Sequence, residues 1–106
     1  MNRYVTNGVI SDLRAGKSIS LFLPPYDTVQ SVVSQLKEQF GPDDNITWSI
    51  SGADFLHGSG GQLRIITPSN LDAALGLATP DVMIFPHGLA TEYPFRLDPR
   101  VELIEY

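Results

Sequence analysis

An α/β domain with a mostly parallel sheet is the fold this sequence predicts, and three observations carry the prediction. Two stretches place apolar residues at helical spacing: Val5, Val9, Ile10 and Leu13, then Val29, Val32, Val33, Leu36 and Phe40. Three short apolar runs, residues 18–23, 63–67 and 81–85, are bounded by glycine or proline and read as strands. Strands with so little polar alternation are buried on both faces, as parallel strands beneath helices are. Helices and strands alternate along the chain. Crossovers of that kind imply a three-layer arrangement, with about four or five strands in the sheet.

Each element has a local cause. Residues 3–15 form the first helix, and Gly16 follows its last apolar turn as a C-cap. The run Ser18 to Leu23 is the first strand, stopped by Pro24-Pro25. Asp27 with Gln30 three residues on has the form of a capping box for the second helix, which Gly41-Pro42 ends. Asp43-Asp44-Asn45 is a turn. Residues 46–50 read as a strand and 53–57 as its hairpin partner across Ser51-Gly52. Gly58-Ser59-Gly60-Gly61 turns into the strand at 63–67. Pro68-Ser69-Asn70 opens a short helix, Leu71 to Leu75, backed by Gly76. After the strand at 81–85, Pro86, Gly88, Pro94 and Pro99 break the chain into loops, and residues 101–104 form a last strand.

Composition narrows the function classes. A length of 106 residues is one domain, with residues 1–88 as the α/β core and 89–106 as a proline-containing extension. The chain has no cysteine, which excludes a disulfide framework and any thiolate metal site. The formal net charge is −5 and no basic stripe exists, so nucleic-acid binding is not expected. Apolar runs are only a few residues long and none follows Met1 as a leader would. We therefore expect no membrane span, no signal peptide and a cytoplasmic protein. Charged residues are 18%, sparse enough to leave room for a buried contact with a partner.

Three segments invite a chemical reading. Gly16-Lys17-Ser18 matches the end of G-x-x-x-x-G-K-[ST], in which Lys reaches the β and γ phosphates and the hydroxyl holds magnesium. The first glycine is replaced by Ser11, and the segment runs from helix to strand instead of strand to helix. The bland reading is a capped helix whose negative end meets Lys17. Gly58-Ser59-Gly60-Gly61 can cradle an anion or simply turn a hairpin; a strand follows it, which favours the turn. The strand at 81–85 ends in Phe85-Pro86-His87, where an ATPase would carry carboxylates. His57 and His87 are the only histidines, and neither has metal-ligand spacing. Trp48, Phe22 and Phe55 read as core. No catalytic, cofactor-binding or metal-ligating residue is assigned.

The stretch GGQLRIITPSNLDAALGLATPDVMIFPH and the order of elements over residues 4–88 resemble the ATPase domain of phage terminase large subunits and related helicase-type P-loop NTPases. In that family a P-loop opens a helix. The next strand ends in a proline-containing turn, then come a helix, a hairpin, a strand and a short glycine-ended helix. An apolar strand closing on Asp-Glu completes the series. The matching segments are residues 5–15, 18–25, 27–40, 46–67, 71–76 and 81–87. Two departures matter. The sequence begins at the first helix, without the strand and glycine loop ahead of it, and Phe85-Pro86 stand where the acidic pair belongs. No residue touching ATP or magnesium carries over. The resemblance implies a minimised P-loop-NTPase-like core of phage type that has lost the Walker A and Walker B residues.

The expected function is therefore non-catalytic: protein–protein contact, with copies of itself or with a host or phage protein, and no cofactor. Val101, Leu103, Ile104 and Tyr106 are the candidate interface. The alternatives are a small enzyme using His57 or His87 in a cleft, and a nucleic-acid-binding remnant of a packaging or helicase ATPase. A cleft that joins a histidine to a carboxylate would favour the enzyme.

Overall fold

A computed structural model describes residues 3–24, 28–42, 44–48, 54–67, 80–86 and 101–106. The elements are α1 (Arg3–Arg14), β1 (Ser18–Phe22), α2 (Val29–Gln39), β2 (Ile46–Trp48), β3 (Asp54–His57), β4 (Gln62–Ile66), β5 (Val82–Phe85) and β6 (Glu102–Glu105). They build one six-stranded sheet in the order β2-β3-β4-β1-β5-β6. Strand β1 runs parallel to both β4 and β5, and β5 runs parallel to β6. Among the described residues, the antiparallel pairings are those of the hairpin, β2 with β3 and β3 with β4. The mostly parallel α/β sheet is as expected, with one more strand than the sequence reading counted.

The apolar stripe of α1 buries Val9, Ile10 and Leu13, and that of α2 buries Val32 and Leu36. Both stripes enter one cluster with Ile19, Leu21, Leu23, Phe55, Leu63, Ile65, Val82 and Ile84. The two helices therefore cover the same face of the sheet. Alternation sends the other side chains to the opposite face, where Phe22, Ile66, Met83 and Phe85 form a second buried cluster. The Phe22 and Phe85 rings stack there with centroids 4.2 Å apart. Burying side chains of this size stabilises the fold by roughly 1.5–3 kcal/mol each, which is why the central strands tolerate so few polar residues.

Helix ends are set by specific groups. Gly16 takes φ 82°, and the bonds Gly16 N–H to Leu13 O and Lys17 N–H to Asp12 O (both 3.0 Å) close a Schellman motif after α1. The second helix departs from expectation at both ends. Its N-cap is Thr28, whose side chain accepts from Ser31 N–H at 3.1 Å, one residue later than the Asp27 capping box; Asp27 lies outside the described residues. Its C-cap is Phe40 in extended conformation, so Gly41 does not supply a left-handed cap. Only Ile46–Trp48 of the strand expected at 46–50 is described. The expected turn at Ser51-Gly52, the helix at Leu71 to Leu75, His87 and the loops through Pro99 lie outside the described residues, as does the Trp48 side chain.

Candidate functional site

The polar cluster with the most chemistry gathers at the amino-terminal end of β1 and β4. It begins with sheet register. Ile46 pairs with His57, so the chain just before β2 lies against the turn just after β3, and Gly58 N–H donates to Asn45 O at 2.8 Å. That pairing sets Asp44 beside His57. The ring's Nε2 lies 2.8 Å from Asp44 Oδ1. From the C-terminal turn of α1, Arg14 reaches the same carboxylate with two bonds, Nε to Oδ1 at 2.9 Å and Nη2 to Oδ2 at 2.6 Å. Gly41 N–H adds a fourth donor, 2.8 Å from Oδ2.

These donors hold the Asp44 carboxyl far below the ordinary carboxylate range; Arg14 contributes most, then His57, then the Gly41 amide. The pairing in turn raises Arg14. The His57 side chain is 9% exposed and that of Asp44 6%.

On the other side of the ring, Ser59 Oγ lies 2.9 Å from Nδ1. Asp44, His57 and Ser59 thus have the connectivity of a Ser–His–Asp triad. The hydrogen positions argue for a different role. Ser59 N–H also lies 3.1 Å from Nδ1, so the ring is held by the backbone of the turn as well as by its hydroxyl. The Ser59 hydroxyl donates to Leu13 O at 2.6 Å, a carbonyl in the last turn of α1 that also accepts from Gly16 N–H. A nucleophilic serine needs its proton directed at the base. Here that proton is given to the backbone. The arrangement latches the β3–β4 turn to α1.

Gly61 completes the latch. A Cβ at this position would stand 2.9 Å from Leu13 C and Cα, and closer still to Leu13 O, so only glycine fits against the helix end. The turn offers no anion cradle. Gly58 N–H is taken by Asn45 O, Ser59 N–H by His57 Nδ1, Gly60 N–H by His57 O, and Gly61 N–H by Ser59 Oγ.

The other sequence candidates are placed as follows. Lys17 ion-pairs with Asp12 at 3.5 Å, and its carbonyl accepts from Gln62 N–H. Ser18 N–H donates to Asp81 Oδ2 at 2.9 Å. Gly16-Lys17-Ser18 thus joins a helix to the start of a strand. Open α/β sheets bind ligands at the carboxyl ends of their strands, so this segment and the His57 cluster lie at the opposite end. A half-open groove of about 300 Å3 beside Arg14 is lined by Asn7, Ile10, Ser11 and Gln39; neither His57 nor Asp44 lines it. Among the described residues no group of three His, Cys, Asp or Glu could hold a metal ion, and no helix is long and apolar enough to cross a membrane.

Of the four candidate interface residues, three turn toward buried clusters. Ile104 and Tyr106 pack on the helix side of the sheet and Val101 on the other. Leu103 is 43% exposed. Sequence reasoning missed Asp44 and Arg14 as partners of His57; the hairpin register was the signal that could have found them. Compared with protein-family models, curated proteins and solved structures, the chain finds no match in any of the three.

Proposed function

We propose that this chain is a non-catalytic, phage-type protein that acts in the host cytoplasm through protein–protein contacts, first of all with copies of itself. The observation that carries the proposal is β6. Among the described residues it is the outermost strand on its side of the sheet, and it leaves Leu103 exposed. Strand edges of this kind are places where another chain can add. The net charge of −5 argues against nucleic acid as the partner.

A degenerate three-layer, P-loop-like core is part of the same proposal. Phe22, Ile66, Met83 and Phe85 are buried on the face turned away from α1 and α2, and a third layer would supply that cover. Size exclusion with light scattering tests the association. A mass above 11.6 kDa that falls on dilution is expected, and 11.6 kDa at every concentration rejects the proposal.

The enzyme alternative has one observation in its favour, the Ser59–His57–Asp44 connectivity. The Ser59 proton on Leu13 O and the fully engaged Asp44 weigh against it. A serine-directed phosphonate decides: no labelling is expected, and labelling that Ser59→Ala abolishes would favour the enzyme.

A further inference from the structure

We propose that two copies join through β6 in antiparallel register about a two-fold axis at Leu103, extending the sheet through both chains. The inference rests on the self-association reading above and adds the geometry of the contact.

The direction of the β6 backbone comes first. Glu102 N–H donates to Asp81 O and Tyr106 N–H to Phe85 O, so even-numbered amides of β6 face β5. By alternation the N–H and C=O of Leu103 point away from β5, to the side of β6 where no described strand pairs. An arriving strand therefore meets the backbone of Leu103.

Register follows from side chains. A two-fold axis perpendicular to the sheet keeps each face on its own side, so only residues of like parity can stand opposite one another. An axis at Glu102 or at Glu105 sets glutamate against glutamate, which is destabilising. An axis at Ile104 sets Leu103 against Glu105 and Glu102 against Tyr106, leaving Leu103 beside a charge. An axis at Leu103 sets Leu103 against Leu103, Glu102 against Ile104 and Val101 against Glu105. Only this choice covers the exposed leucine with its own kind while no two carboxylates face each other. It also makes the central pair a hydrogen-bonded one, each Leu103 N–H donating to the other's carbonyl.

The absence of cysteine from the chain makes a direct test simple. Opposed residues of a hydrogen-bonded antiparallel pair have Cα atoms about 5.5 Å apart, inside the roughly 4.4–6.8 Å that a disulfide spans. The full chain carrying Leu103→Cys is oxidised mildly and run without reductant. Leu56→Cys is the control: that residue is 46% exposed but lies on β3, on the far side of the sheet from β6. Leu103→Cys should cross-link to a dimer and Leu56→Cys should not, while Leu103→Lys should abolish the dimer in light scattering and keep a cooperative thermal transition. If the unmodified chain is a dimer but Leu103→Cys does not cross-link, the register is wrong and self-association stands. If the chain is a monomer throughout, both readings fall.

Discussion

His57 Nε2 lies 2.8 Å from Asp44 Oδ1, and the same carboxylate takes both arms of Arg14. Three separate segments, the end of α1, the loop before β2 and the end of β3, therefore meet on one side chain. The acid response of the fold should report this. Because Asp44 is held below its ordinary value in the folded state, its contribution is complete well above the unfolded value of about 3.9 and is lost progressively as pH falls from there through the lower folded value. Asp44→Asn should lower the melting temperature clearly above about pH 5, and the gap to the parent chain should narrow steadily below about pH 4. A gap independent of pH would show that shape, not charge, matters at this position.

Two glycines should respond in opposite directions. Gly61→Ala drives a methyl into the Leu13 backbone and should cost about 1–3 kcal/mol in urea denaturation. Gly8, exposed within α1, has open space around its missing Cβ. Gly8→Ala should stabilise by about 0.5–1 kcal/mol through helix propensity. Equal effects would mean that the Leu13–Gly61 approach is not a constraint.

How legible this was in the sequence differs by element. The stripes of α1 and α2 and the apolar runs of β1, β4 and β5 were readable because burial on one or both faces leaves a period behind. Gly16 was readable as a cap for the same local reason. The latch was not. Asp44 and Ser59 each look like ordinary turn residues, and Arg14 looks like a surface charge. Their meeting depends on which residue of β2 pairs with His57, and pairing between segments leaves no mark within either one. The N-cap was misplaced by one residue because Asp27 and Thr28 are both good caps, and local pattern does not choose between them.

Nucleotide should leave the fold unaffected. Lys17 is paired with Asp12, and Ser18 N–H is bonded to Asp81, both at the start of β1. A nucleotide bound at ten times its dissociation constant would stabilise by about 1.4 kcal/mol. Thermal shift with Mg·ATP at millimolar concentration should show no rise. A saturable rise that Lys17→Ala removes would restore the P-loop reading.

The last prediction concerns how β6 is held. Tyr106 spans two strands: its N–H donates to Phe85 O at 2.9 Å, and its hydroxyl donates to Phe22 O at 2.8 Å. Its ring packs on the helix-side core. Tyr106→Phe keeps the ring and the backbone bond and removes only the hydroxyl, a loss of about 0.5–1.5 kcal/mol. Because β6 pairs with β5 alone among the described strands, that loss should fall on the strand before it falls on the whole fold. Amide exchange at Ile104 and Tyr106 should speed up by about tenfold for each 1.4 kcal/mol, with the urea midpoint shifted less than the exchange implies. Equal losses by both measures would show that β6 unfolds only with the rest of the sheet. No change in either would show that the hydroxyl anchors nothing.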